Sequence, residues 1–262
     1  MKINFFKYHG NGNDFIIIDN RSGEFYPVQE QIVFLCDRHL GIGADGLMLL
    51  ENTRGYDFSL KYYNSDGNES TMCGNGGRCM TAFAHGLKII GKKARFSAVD
   101  GDHEAEILSQ NGDICMVRLK MKDTSPGTIF DDGYFIDTGS PHFVVYVKDV
   151  EAVDVQSEGR KLRYDKRFAP GGCNVNFVEI IQGGLSVRTY ERGVENETLS
   201  CGTGVTASAL ITAFLSKDRQ HACFVKTPGG EFNVNFQPSS GGFSGVFLEG
   251  PAAFVFKGGI TI

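Results

Sequence analysis

Two cysteines stand in segments that read alike. Asn68-Glu69-Ser70-Thr71-Met72-Cys73-Gly74-Asn75-Gly76 matches Asn196-Glu197-Thr198-Leu199-Ser200-Cys201-Gly202-Thr203-Gly204. The shared pattern is Asn-Glu-Ser/Thr-x-x-Cys-Gly-x-Gly, and the cysteines lie 201 − 73 = 128 residues apart. Each cysteine precedes a glycine-rich turn that opens a helix-like stretch. A helix N-terminus offers free N–H groups and a partial positive charge. Both lower a thiol's pKa from about 8.5 toward neutrality. The same N–H groups can hold a carboxylate, and glycine lets the backbone come close to it. Two such thiols suit the inversion of a stereocentre. One takes the α-proton from one face and the other delivers a proton to the opposite face, with the roles exchanged in reverse. A carboxylate held at a helix N-terminus helps to stabilise the carbanion between those steps. The remaining cysteines, Cys36, Cys79, Cys115, Cys173 and Cys223, fall in no repeated motif and read as small packing residues. Seven cysteines without a Cys-x-x-Cys spacing argue against a disulfide framework or a structural zinc site. A zinc site from Cys73, Cys201 and His142 has no local ligand spacing to support it, so no metal is expected.

The elements that must position these thiols repeat as well. Phe15 falls on Phe143 at the same offset, Asp37-Arg38-His39 on Asp165-Lys166-Arg167, Gly43 on Gly171, Tyr62 on Tyr190 and Gly101 on Gly229. A constant offset at five separated places implies two similar halves, near residues 1–118 and 119–248, followed by a short tail. Phe15 to Asp19 and Phe143 to Val147 read as buried strands. Leu60–Tyr63 and Leu185–Tyr190 read as strands ending beside the cysteine motifs. Ala105, Ile107, Met116-Val117 and Leu119 alternate as sheet edges do. Arg78 to Leu87 and Val205 to Leu215 are helix-like and too apolar all round for a surface helix. The expected fold is α+β, with two pseudo-symmetric α/β domains. Each is a mainly antiparallel sheet wrapped around one central buried helix. Gly-Gly pairs at 171–172, 183–184 and 241–242 mark turns. No low-complexity linker separates the halves, so they are expected to face each other across a tight cleft.

The composition is that of a globular protein: 262 residues, 41% hydrophobic, 22% charged, net charge −5. That balance argues against general nucleic-acid affinity, which needs a basic face. Lys92-Lys93 and Arg160-Lys161 read as solvated surface. Met1 to Phe6 lacks a signal-peptide core, and no run approaches the roughly 20 apolar residues that span a bilayer. A cytoplasmic protein with no membrane partner is expected. A homodimer is compatible with the sequence.

Further motifs carry a resemblance. Asn64-Ser65-Asp66-Gly67 followed by Cys73-Gly74-Asn75-Gly76-Gly77-Arg78 resembles the signature of the diaminopimelate epimerase family. His9-Gly10-Asn11-Gly12-Asn13-Asp14-Phe15 and Asp37-Arg38-His39-Leu40-Gly41-Ile42-Gly43-Ala44-Asp45 resemble its earlier blocks. Tyr190-Glu191-Arg192-Gly193, Cys201-Gly202-Thr203-Gly204, Pro228-Gly229-Gly230 and Gly250-Pro251-Ala252 continue the likeness over nearly the whole chain. The resemblance implies a pyridoxal-independent enzyme, without cofactor, that interconverts L,L- and meso-diaminopimelate for lysine and peptidoglycan synthesis. It implies two α/β domains with the site between them. The tail 249–262 then joins residues 1–118, and residues 119–248 form the second domain. It makes Cys201 the proton acceptor and Cys73 the donor in the L,L to meso direction. His142 then partners Cys73, and Glu191 partners Cys201. Asn13, Asn64, Asn174, Glu191 and Arg192 match substrate-binding positions. Gly74, Asn75, Gly202 and Thr203 match backbone donors for the reacting carboxylate.

The sequence departs from the family in three places. Gly46 stands where many members have glutamine, Ser140 where many have asparagine, and Asn68 replaces the usual serine. Gly46 and Ser140 bear on how the distal end of the substrate is held. The rival readings are a related two-thiol isomerase, such as a proline racemase-like enzyme, and a non-catalytic ligand-binding relative. Retention of both thiols and of His142 and Glu191 argues against the second.

Overall fold

The computed structural model describes residues 1–216 and 221–262, and the chain divides into two compact units. The first comprises Met1–Leu119 with Gly250–Ile262, the second Lys120–Glu249.

The first unit runs β1 (Lys2–Gly10), β2 (Asn13–Asp19), α1 (Gln29–Cys36), β3 (Gly46–Glu51), β4 (Phe58–Asn64), β5 (Glu69–Ser70), α2 (Gly74–Gly86), β6 (Lys93–Ala98), β7 (Gly101–Asn111) and β8 (Ile114–Lys120). Phe15, Ile16, Ile17 and Ile18 are buried in succession on β2. A strand buried on both faces needs such a run, and β2 pairs in parallel with β3 as well as antiparallel with β1. β3 is antiparallel to β4, which pairs in parallel with β6. The β6–β7–β8 steps are antiparallel. Helix α2 packs on β1, β2, β3 and β7, and Gly74 through Ala84 are all buried.

The second unit repeats this order. It runs β9 (Thr128–Phe130), β10 (Gly133–Asp137), β11 (Pro141–Tyr146), α3 (Val155–Arg163), β12 (Asn174–Ile181), β13 (Gly184–Glu191), β14 (Asn196–Thr198), α4 (Gly202–Leu215), β15 (Ala222–Thr227), β16 (Gly230–Ser239) and β17 (Gly242–Thr261). β11 pairs in parallel with β12, β12 antiparallel with β13, and β13 in parallel with β15. Helix α4 packs on β10, β11, β12, β13, β15 and β16. Its last turn leaves Phe214 and Leu215 about two-fifths exposed, so burial stops short of the all-round apolar pattern. The far end of β17 pairs with β1 and β8 in the first unit's sheet.

Among the described residues, each unit holds two α-helices where the sequence suggested one. Helix α3 was masked by its own polarity, since in Val155-Gln156-Ser157-Glu158-Gly159-Arg160-Lys161-Leu162-Arg163 only Val155 and Gly159 are buried. Asp154 starts it by accepting the Ser157 N–H at 3.1 Å, an ordinary N-cap. A Cβ on Gly159 would stand 2.4 Å from that of Tyr190, so this glycine lets the helix lie close on β13. Helix α1 is short, and Val33 and Phe34 on its outer face are exposed, which blurs its period.

The repeat is not residue-perfect. Phe15 pairs with Gly46, whereas Phe143 pairs with Val175, which lies 175 − 46 = 129 residues on. The positive-φ glycines Gly43 and Gly101 correspond to Gly172 and Gly230, again 129 residues on, rather than to Gly171 and Gly229. The offset is 128 at Phe15 and again at Cys73 but 129 at Gly43 and Gly101, so single residues are gained and lost between the two copies. Asp37 and Asp165 keep the same work: Asp37 accepts the N–H groups of His39 and Leu40, and Asp165 accepts that of Arg167.

Candidate active site

Cys73 is the N-cap of α2. Its extended backbone (φ −95, ψ 149) ends the preceding segment, and its sulfur accepts the Gly76 N–H at 3.1 Å. That places the thiol in the field of the helix N-terminus. Asn13, at the start of β2, brings Oδ1 to 4.0 Å from the Cys73 sulfur and takes the Asn75 amide at 3.3 Å. The other end of Asn13 donates to Asp45 at 2.7 Å. Asp45 and Asp14 share Arg38, and Lys7 pairs with Asp14 at 2.8 Å. Burial would raise the Asp14 carboxyl, but hydrogen bonds from Arg38 and Lys7 outweigh it and hold the group at about 2. A charged frame therefore fixes Asn13 beside the thiol.

Behind this frame lies Arg78, which the sequence marks only as a signature letter and as the start of a helix-like stretch. Its side chain is fully buried. It donates to Asn11 at 2.8 Å, to Asn75 at 2.9 Å, to the Gly74 carbonyl at 3.1 Å and to the Pro251 carbonyl at 3.4 Å. Burial lowers its pKa to about 10, and it carries its charge at neutral pH. The planar guanidinium fork suits four acceptors at once. Asn64 ends β4 opposite Gly46, and its backbone N–H closes a turn on the Asn68 carbonyl at 3.0 Å. Asn68 spends its side chain on Asp66, which explains that departure as turn chemistry.

Gly46 has a steric reason. A Cβ there would lie 2.5 Å from the Tyr62 ring and 2.6 Å from the Tyr63 carbonyl. Tyr62 thus fills the space a longer side chain at position 46 would need. Gly46→Gln is expected to destabilise the fold by about 1–3 kcal/mol, the usual range for overpacking, in a denaturant melt.

Cys201 is the N-cap of α4 (φ −120, ψ 109), and the Val205 N–H bonds to its carbonyl at 2.8 Å. Its sulfur lies 3.4 Å from the Thr203 hydroxyl and takes no side-chain cap bond from the helix, unlike that of Cys73. Glu191 ends β13 and accepts the Thr198 hydroxyl at 2.8 Å. Asn174 begins β12 beside His142 on β11. Its amide donates to the Pro141 carbonyl at 3.1 Å and accepts the Arg192 N–H at 2.9 Å, so it ties Arg192 to the strand carrying His142. Ser140 sits in the turn before β11, its carbonyl accepting the Thr138 N–H at 3.1 Å. Asn13, Asn64, Cys73 and Asn75 thus belong to the first unit, and His142, Asn174, Glu191, Arg192 and Cys201 to the second.

His142 is fully buried, and burial first, then the Arg192 charge, push its pKa down to about 3 despite the Asn176 bond. The sign follows directly. Below about 6.5 the unfolded chain binds a proton that the folded chain refuses. His142 therefore makes stability fall as pH drops below about 6.5 toward 3, the range in which only the unfolded chain holds the proton. His142→Gln should flatten that slope in urea melts compared across the window. Burial pushes Cys36 and Cys173 up to about 12 and Cys223 to about 11, as inert packing thiols require.

The fold has solved counterparts. The structure aligns with a Bacillus anthracis phenazine biosynthesis protein of the PhzF family at a TM-score of 0.75 and 15% identity, covering 100% of both chains. The chain thus falls in the fold class of that protein. The diaminopimelate epimerase profile matches residues 5–123 and 134–255. A diaminopimelate epimerase from Flavobacterium psychrophilum is 47% identical, covering 96% of this chain and 98% of that one. One from Chlorobaculum tepidum is 45% identical over 97% and 99%. The chain belongs to the diaminopimelate epimerase family. Among the described residues, no helix is long and apolar enough to cross a membrane.

Proposed function

We propose that this protein interconverts L,L- and meso-diaminopimelate by a two-base reaction that uses no cofactor. The observation that carries this reading is family membership together with a thiol capping a buried helix in each unit. In the L,L to meso direction, Cys201 as thiolate takes the α-proton. The electron pair of the broken C–H bond spreads into the carboxylate. The Cys73 thiol then protonates the other face, leaving Cys73 as thiolate and Cys201 as thiol. N–H groups of Gly74, Asn75, Gly202 and Thr203 hold the carboxylate where negative charge grows. His142 serves Cys73, and Glu191 serves Cys201. Asn13, Asn64, Asn174, Glu191 and Arg192 hold the distal amino-acid end, whose carboxylate suits a guanidinium. The two units act as pseudo-symmetric halves that each supply one thiol, and the carbanion is shielded from water. The protein works in the cytoplasm on this small molecule alone, and its assembly as a homodimer is part of the proposal.

Proton exchange in deuterated water tests the reading. L,L-diaminopimelate should gain deuterium at the α-carbon as meso product forms, with proline inert. Exchange of proline and none of diaminopimelate would assign the chain to a different two-thiol reaction.

A further inference from the structure

His142 and Asn176 form a buried pair that the proposed reaction does not explain. Both are fully buried, and Nε2 of His142 has no hydrogen-bond partner among the described residues. Nδ1 of His142 lies 3.0 Å from Nδ2 of Asn176. The orientation of that amide is fixed by its neighbours. The Phe143 carbonyl, 3.4 Å from Nδ2, can only accept a hydrogen bond. An amide oxygen turned toward it would set two acceptors face to face. The NH2 group therefore faces Phe143, and its second hydrogen points at His142. The amide oxygen takes the Thr189 hydroxyl at 3.0 Å. Gly204 completes the fit, because a Cβ there would stand 2.2 Å from Oδ1 of Asn176. The last glycine of the second Cys-Gly-x-Gly thus leaves room for this amide.

We infer that Asn176 is a positioning residue that holds neutral His142 as its Nε2–H tautomer. An NH2 group has no lone pair with which to accept, so Nδ1 must be the ring's acceptor and Nε2 carries the proton. His142 then offers a donor at Nε2, and no base. The chemical consequence rests on the proposed pairing of His142 with Cys73. A donor at Nε2 stabilises a Cys73 thiolate and has no lone pair there to take a thiol proton. The histidine supports Cys73 once it has delivered its proton, and does not pull that proton away. Asn176 lies two residues beyond Asn174 on β12, so the two asparagines share one face of the strand.

Nitrogen-15 spectra of protein labelled at its six histidines test this, with His142→Gln assigning the signal. Near neutral pH, His142 should show an unprotonated Nδ1 and a protonated Nε2. Asn176→Asp replaces the donor with an acceptor and should move the proton to Nδ1. Asn176→Ala removes the donor without adding charge and should mix the tautomers. In both variants kcat for diaminopimelate should fall on the order of 10- to 100-fold, with KM changing far less. A proton on Nδ1 in the unmodified protein would overturn the inference, and that spectrum decides it even if neither variant folds. Folded variants that keep the Nε2–H tautomer, or that lose it at full kcat, would also overturn it. The spectra need no substrate. A protein with the expected tautomer that leaves diaminopimelate unchanged would refute the proposed function and leave this inference standing.

Discussion

Cys73→Ala and Cys201→Ala are each expected to lower kcat/KM for diaminopimelate epimerisation by at least about 10³-fold, within the range assigned to a general acid or base. Inversion needs a proton taken from one face and another given to the opposite face. Either single variant loses one of those steps. The surviving thiol should still exchange the α-proton of the isomer it faces, slowly and without inversion. Deuterium uptake followed beside optical rotation separates the two outcomes, and full-rate inversion by Cys201→Ala would end the two-base reading. Serine is a weaker replacement to test, since a hydroxyl leaves a residual slow route open. The two thiols are not expected to respond alike. The Cys73 sulfur accepts the Gly76 N–H, whereas that of Cys201 lies beside the Thr203 hydroxyl.

Arg78→Ala should be the most damaging substitution away from the thiols, costing about 3–5 kcal/mol in denaturant melts. It leaves a cavity where a whole arginine was buried. It also strips donors from the side-chain oxygens of Asn11 and Asn75 and from the carbonyls of Gly74 and Pro251. Asn75 in turn bonds Asn13, so any molecules that still fold should bind substrate less tightly. Arg78→Lys should recover little of the loss, because an ammonium cannot present the same planar fork. Equal melting midpoints for the alanine variant and the parent would show that water or rearranged partners satisfy these acceptors.

Much of this was legible before any coordinates. The cysteine motifs, the buried helices behind them and the Ile-rich strand after Asn13 announce themselves through repetition and period. What stayed hidden depends on contacts between residues distant in sequence. Arg78 looks like any polar helix residue until its four acceptors converge on it. Asn176 is one letter in Asn174-Val175-Asn176, and only packing shows that its amide meets His142 and the first turn of α4. Helix α3 escaped notice because six of its nine residues are polar, and Gly159, which weakens helix propensity, is there to approach Tyr190. Gly46 read as a missing substrate contact, yet its lack of a side chain is dictated by Tyr62.

The long strand β17 carries a consequence for biogenesis. Its last residues, Gly258 to Thr261, pair with Phe5 back to Lys2, and the Ile262 N–H bonds to the Met1 carbonyl. The first unit is therefore assembled from two segments that flank the second unit in sequence, Met1–Leu119 and Gly250–Ile262. Its β1 edge stays unpaired on that side until Gly250–Ile262 has been made, whereas Lys120–Glu249 precedes that segment in the chain. A nascent chain should thus gain protease resistance in its middle portion first, and a stop codon at Gly250 should leave β1 as an open, aggregation-prone edge.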